Sequence, residues 1–382
     1  MPNKNNCIGG LSRLYTGIKQ ALEVEPNSLL LNGGDTFQGT VWYNFMRWNV
    51  SQHFMNLLPK HDAHVLGNHE FSHGIKGLLP YLERLRAPML GANVNTTFEP
   101  ELGKHIKNHV IVERNGHKIG DITLYFDTEG KITSWNGRPI YLGTSIVKDE
   151  QMESLLNEWR AELYPISREV LGRSLVQLDP GSCYSGECNL GSWICDAFLE
   201  QMMARANNTN WNHAHLCLLT VGGLRSQINA GDITTEGLLM ALPFENQLVA
   251  YDLKGKYILE ALEYSVGGVL SNPRYFVSRR MLQIGGMRNV YNASAPIGSR
   301  VASTRVRCID CDIPHYVPLN PESMYRIISQ NFLGNGGSGF TMISENRENI
   351  EFFGEDFIFL QRHMRKTTIF YQELDGRIQI VY

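Results

Sequence analysis

Apolar and polar residues alternate along this chain with a period that switches repeatedly between that of a helix and that of a strand. Residues 11–25, "LSRLYTGIKQALEVE", place apolar side chains at helical spacing and predict an amphipathic helix. "NSLLLNGGD" compresses its apolar residues into one run closed by glycines, the pattern of a buried strand that ends in a turn at Asp35. "WYNFMRWNVSQHFMNLL" is helical again, "DAHVLGNHE" is strand and loop, "GIKGLLPYLERL" is helix and "APMLGANV" is strand. This β–α–β–α succession predicts an α/β domain. "HVIVERNGHKIGDITLYFDTEGKITSWNGRPIYL" reads as strands and turns. Within residues 145–170 the charged amphipathic stretch "DEQMESLLNEWRAEL" predicts a connecting helix, and from about residue 168 the pattern becomes mixed α+β, closing on a terminal strand in "DGRIQIVY". No internal repeat and no low-complexity tract interrupts the pattern.

The length of 382 residues exceeds what one compact core holds, so two domains are expected. At 43 % hydrophobic and 19 % charged, the composition is that of a soluble globular protein. A net charge of −3 gives no electrostatic reason to expect a nucleic-acid partner or an anionic membrane. No apolar run approaches bilayer length, "MPNKNNCIGG" has no apolar leader core, and "QIVY" is not the tail of a lipid-anchor signal. Membrane attachment is therefore not expected. Glycosylation acceptor triplets at Asn49, Asn95, Asn207 and Asn292 point to the secretory route nonetheless.

The seven cysteines agree with that route. "CYSGEC" (183–188) and "CIDC" (308–311) have the spacing of short-loop disulfides, which leaves Cys195 and Cys217 as a third pair. A zinc reading of "CIDC" lacks a second close pair, and a redox reading lacks a βαβ context. Cys7 remains over; an N-terminally truncated chain would account for both this orphan and the missing leader.

"NGGD" and "GNHE" both stand where a strand ends in a loop, and open α/β sheets gather ligands at the carboxyl ends of their strands. A dinuclear hydrolase needs oxygen and nitrogen donors there, to hold ions that activate water and clamp phosphoryl oxygens. Asp35 is a candidate bridging ligand, Asn68 a candidate amide-oxygen donor, and His69 a candidate catalytic group that stabilises charge on the phosphoryl. Taken singly, Asp35 reads equally as a turn residue and His69 as a satisfied loop histidine. "GNGGSG" (334–339) fits G-x-G-x-x-G, but "FTMISENRENI" does not make the helix a dinucleotide fingerprint requires, so a close backbone approach to a ligand is the better reading. "HAH" (213–215) reads as a half-exposed strand pair before it reads as a metal site.

"LLLNGGDTFQGTVWY", "LGNHEFSHG", "CNLGSWICDAF", "LRSQI", "LPFENQL" and "NFLGNGGSGF" occur in the order found in the 5′-nucleotidase/apyrase family. The chain resembles animal ecto-5′-nucleotidases and arthropod salivary apyrases over nearly its whole length. The resemblance implies α/β plus α+β architecture: an incomplete four-layered metallophosphoesterase domain (1–145), a linking helix (146–167) and a nucleoside-binding 5′-nucleotidase C-terminal domain (168–382). It implies metal-dependent hydrolysis of AMP, ADP or ATP to nucleoside and phosphate, two divalent ions (zinc, manganese or magnesium), an extracellular or cell-surface location and a homodimer. Phe244 and Phe332 match the two aromatics that sandwich the base, and Arg225 a phosphate-contacting arginine. From the residues alone, these three read as core phenylalanines and a surface arginine.

The chain also departs from the family. The first Asp-x-His metal motif precedes its start, and "VERNGHKIG" runs straight into "DITLYFDTEGKI", so a segment carrying two further metal histidines is missing near Gly120–Asp121. Ser72 replaces the aspartate that pairs with the catalytic histidine, Thr220 a base-contacting asparagine, Tyr184 a phosphate arginine and Ser338 a ribose-binding aspartate. Asp35 and Asn68 alone are fewer donors than a catalytic zinc site uses; His64, His73 and His117 are the alternatives that would complete one. Two functions follow: a nucleotide hydrolase represented by a shortened chain, or a family member without catalysis that binds nucleotides or a partner as a secreted anti-haemostatic protein. A dehydrogenase-like α/β protein rests on the glycine pattern alone.

Overall fold

The computed structural model describes residues 8–59, 61–114, 117–118, 124–126, 132–135, 141–267 and 278–382. They form two compact units, 1–165 and 166–382. Cys7 and the junction at Gly120–Asp121 lie outside the described residues.

In the first unit, helix α1 (Leu11–Val24) leads into strand β1 (Leu31–Asn32). Strands β2 (Ala63–Val65), β3 (Met89–Leu90) and β4 (Ile106–Lys107) extend a four-stranded sheet in the order β1-β2-β3-β4. All three pairings are parallel, so every strand delivers its carboxyl end to the same edge. The stretch expected as one helix over "WYNFMRWNVSQHFMNLL" is two, Val41–Met46 and α2 (Trp48–Leu57). Arg47 separates them at φ 56°, a left-handed conformation no helix interior adopts. Helix α3 (Gly74–Arg84) buries Leu78, Tyr81 and Leu82 against Phe37, Tyr43, Met89 and Leu102. Phe37 stands with its ring 4.9 Å from Tyr43 and 5.0 Å from Tyr81. This aromatic cluster fixes the loop that follows Asp35.

Helix α4 (Glu150–Ser167) carries the connecting stretch. Its Met152 packs with Val50 and Phe54 of α2, and the Trp159 ring lies 4.7 Å from His53 and 5.4 Å from Phe54. The first turns of this helix therefore belong to the core of the first unit.

The second unit is built on a five-stranded mixed sheet of β5 (Leu216–Thr220), β6 (Gln247–Lys254), β7 (Leu282–Gly285), β8 (Met324–Gln330) and β9 (Glu348–Glu355), ordered β7-β5-β8-β6-β9. Its middle strand β8 runs parallel to β5 and antiparallel to β6. Helices α5 (Asn189–Met203), α6 (Gly255–Gly267) and α7 (Asp356–Thr367) bury their apolar faces in the same core. Val301–Arg307, Met287–Asn292 and the terminal strand Ile378–Val381 belong to a separate four-stranded sheet.

The three expected disulfides, Cys183–Cys188, Cys195–Cys217 and Cys308–Cys311, are present. Cys195–Cys217 ties α5 to the central sheet across wholly buried positions. The "HAH" histidines serve neighbouring polar groups: His213 Nε2 lies 3.0 Å from the Glu351 carboxylate, and His215 Nδ1 accepts from the Arg326 amide at 3.0 Å.

Replacing both Cys195 and Cys217 by alanine removes a covalent tie within the core and is expected to lower the stability of the second unit by about 2–4 kcal/mol. Urea denaturation followed by tryptophan fluorescence, with Trp193 buried on α5, reads this loss.

Candidate active site

The loop after β1 and the loop after β2 meet at the carboxyl edge of the first sheet. Their backbones approach so closely that a Cβ on Gly67 would fall 2.1 Å from Asp35 Oδ1, and one on Gly34 would fall 2.5 Å from the Gly67 nitrogen. Glycine is required at both places because nothing larger fits. Asp35 itself sits at φ 54°, a conformation asparagine and aspartate tolerate better than other residues.

Glu70 joins these loops. Its carboxylate is 1 % exposed and accepts from the amides of Asp35 at 2.9 Å, Thr36 at 2.5 Å, Phe37 at 3.4 Å and Gly67 at 2.6 Å. A buried carboxylate survives only when its lone pairs are satisfied, and here four backbone donors do so. Asp35 Oδ1 then accepts from the His69 amide at 3.0 Å, which sets the two candidate residues side by side. Asp35 and Asn68 are exposed and His69 is half-buried, so all three reach solvent at the strand ends. The His69 imidazole has Ser72 Oγ 3.4 Å from Nδ1, a long contact from a group that brings no charge.

The alternative histidines are engaged elsewhere. His64 Nε2 lies 2.5 Å from His61 Nδ1 inside the sheet. Burial, and secondarily the His61 charge, push its pKa down to about 4, so it stays neutral. His73 Nε2 lies 2.9 Å from Arg47 Nη1, with its ring stacked on Tyr43. The His117 side chain lies outside the described residues.

In the second unit, Arg225 follows the turn Val221–Gly223 at the end of β5, and its amide donates to Ala241 O at 2.9 Å. That bond brings the arginine beside "LPFEN", where its guanidinium lies 5.1 Å from the centre of the Phe244 ring. Phe332, 48 % exposed, stands on the short helix Asn331–Gly334 that continues from β8. A Cβ on Gly337 would fall 2.6 Å from the Phe332 ring, so the glycine-rich loop passes directly beneath it. Tyr264 steadies the same loop by donating to Ser338 O at 3.1 Å. Thr220, at the end of β5, is 4 % exposed.

Beneath these side chains lies a polar group that motif reading passes over. Asp356 is wholly buried; it accepts from Gln330 Nε2 at 2.7 Å and from the Phe357 amide at 2.7 Å, and its own amide donates to Asn246 O at 2.8 Å. Burial pushes its carboxyl up to about 7, against the bonds from Gln330, Phe357 and Asn246 that favour the ionised form. Asp356 does not stand out in sequence, because an acid at a helix start reads as an ordinary solvated residue, and Glu70 stands in the "GNHE" motif without its structural role being readable there.

Residues 7–159 match the calcineurin-like phosphoesterase family, and residues 170–345 match the 5′-nucleotidase C-terminal domain. The fold is thus a metallophosphoesterase domain followed by a nucleotidase C-terminal domain. The chain is similar over nearly its whole length to apyrases and 5′-nucleotidases. It is 29 % identical to an apyrase of Tabanus yao over 494 residues, covering 98 % of this chain and 88 % of that protein. It is likewise 29 % identical to the 5′-nucleotidase of Homo sapiens over 502 residues, covering 99 % and 86 %. Both alignments are far longer than the 382 residues of this chain, so these relatives carry stretches within the aligned span that have no counterpart here. Among solved structures, a 5′-nucleotidase precursor from Thermus thermophilus superposes with a TM-score of 0.76 at 22 % identity, covering 98 % of this chain and 94 % of that one.

Metallophosphoesterases employ divalent metal ions. Around Asp35 the described residues offer one carboxylate and one amide. Among the described residues the one trio of His, Cys, Asp or Glu side chains close enough to share an ion is Cys308, Asp310 and Cys311, whose cysteines are joined in a disulfide. This donor set does not fit a dinuclear centre.

Glu70→Gln places an amide N–H₂ against backbone donors and is expected to cost the first unit about 2–3 kcal/mol. Hydrogen exchange should show lost protection at the amides of Asp35, Thr36 and Gly67, with the second unit unchanged. For Asp356 the sign is opposite to that of a salt-bridged acid. Its folded pKa, about 7, lies above the ordinary 3.8, so its stability contribution is full below about 4 and is lost as pH rises to about 7. The stability of wild type relative to Asp356→Asn should fall across that window and level off above it, as urea titrations at each pH would show.

Proposed function

We propose that the chain acts on extracellular nucleotides and that its second unit grips the nucleoside. The observation that carries this reading is the placement of Arg225 against the half-buried Phe244 ring, on the loop tied to the helix that presents Phe332. An aromatic pair supplies two π faces for a base, and a guanidinium supplies the planar fork that suits a phosphate. In this reading Asp35 and Asn68 are the remaining metal ligands and His69 the group that stabilises charge on the phosphoryl, with zinc, manganese or magnesium as the ion. AMP, ADP and ATP are the candidate substrates. Three disulfides and the exposed acceptor residues Asn49, Asn95 and Asn207 support an extracellular setting. Among the described residues no helix is long and apolar enough to cross a membrane.

A second reading is favoured by the donor count around Asp35 and by Ser72: the chain binds nucleotides without turning them over. The two side-chain donors among the described residues do not build the centre that metal-assisted bond breaking needs.

Phosphate release from AMP, ADP and ATP, with zinc, manganese or magnesium and then with chelator, separates the two. Chelator-sensitive release, lost in Asp35→Asn and His69→Ala, establishes hydrolysis. Nucleotide binding by calorimetry without release establishes the second reading. In either case Phe244→Ala and Phe332→Ala should each weaken binding by about 1–3 kcal/mol, the range for base stacking on an aromatic, and Arg225→Ala should weaken AMP more than adenosine. Full affinity in all three variants would overturn the nucleoside site.

A further inference from the structure

Resting on the nucleoside-binding reading, we infer that Asp356 is a positioning residue for the nucleoside clamp, whose carboxylate form locks together the two loops that present Phe244 and Phe332. The lock is a short chain of bonds. Phe332 stands two residues beyond Gln330, and Gln330 donates from Nε2 to Asp356 Oδ2 at 2.7 Å. Phe244 stands two residues before Asn246, whose carbonyl accepts from the Asp356 amide at 2.8 Å. Gln330 Oε1 lies beside Gly223, in the turn that leads to Arg225. One buried carboxyl thus sits where the three loops of the clamp converge, and Asp356 and Gln330 are at most 2 % exposed.

The lock depends on ionisation. As a carboxylate, Asp356 accepts from both the Gln330 amide and the Phe357 N–H. Once protonated, the carboxyl keeps one full acceptor oxygen, and the proton stands either on Oδ2, against the Gln330 N–H₂, or on Oδ1, against the Phe357 N–H. One of the two bonds is then weakened, or Gln330 turns its amide over, and each change acts on the loops that Asp356 joins. Burial lifts this carboxyl to about 7, so both forms are reached near neutral pH. The groups facing it are Gln330, Asn246 and the Phe357 amide, none of which titrates, and Glu355, whose charge raises it further. Tyr251, behind Ser329 in the same layer, is held as a neutral phenol by burial.

The test is the affinity of the whole chain for adenosine, inosine and uridine, which bear no phosphate that titrates in this range, by calorimetry between pH 5.5 and 8.5. For whichever nucleoside binds, affinity should fall several-fold as pH drops through about 7. Asp356→Asn should bind about 10-fold more weakly at pH 8 and lose the pH dependence, and Gln330→Met should behave likewise. Circular dichroism confirms that each variant is folded, and the wild-type profile stands on its own if one is not. A flat wild-type profile, or an Asp356→Asn protein with wild-type affinity and profile, overturns the inference while leaving the nucleoside site intact. Binding of none of the three nucleosides overturns both.

Discussion

The first unit depends on one carboxylate. Parallel strands end at a common edge with unpaired amides in their loops, and two such loops cannot meet unless those amides find acceptors. Glu70 meets this demand for four of them, from Asp35, Thr36, Phe37 and Gly67. The glycines at 34 and 67 follow from the same constraint, since a tie this short leaves no room for a Cβ. The outward placement of Asp35, Asn68 and His69 follows as well. Glu70 takes the interior position, and its neighbours are left facing the solvent side.

The second unit solves a related problem differently. Its loops converge on Asp356 from antiparallel and parallel neighbours of β8, and the side chain of Gln330 supplies one donor where Glu70 has only backbone amides. Fewer donors leave the charge poorly compensated, which is why burial governs Asp356. Two buried carboxylates thus hold two sets of loops. One is saturated with hydrogen bonds, and the other is poised near neutrality.

Much of the architecture was legible in the sequence because it is local. The β–α–β–α alternation, the helix at 11–24, the terminal strand and the cysteine pairs all follow from periodicity or spacing. The single helix expected from "WYNFMRWNVSQHFMNLL" breaks at Arg47, since apolar spacing is blind to one left-handed residue. The candidate site residues were nameable only through ordered motifs; taken singly, Phe244, Phe332 and Arg225 look like core and surface positions. Neither Glu70, though inside the "GNHE" motif, nor Asp356 was legible as an anchor of loops. Their roles are set by amides and side chains up to 110 residues away, which neither composition nor periodicity encodes.

The passage of Gly337 beneath Phe332 has a geometric corollary. The ring rests on main chain, and no adjustable side chain lies between them, so its height above the loop is set by van der Waals contact with the main chain. The loop works as a gauge block of fixed thickness. In the nucleoside-binding reading it standardises the width of the slot, which every planar heterocycle fits equally well. Selection among bases must then fall to polar groups outside the stack, and the exposed Ser338 on the same loop is the place to look for this chain's own preference.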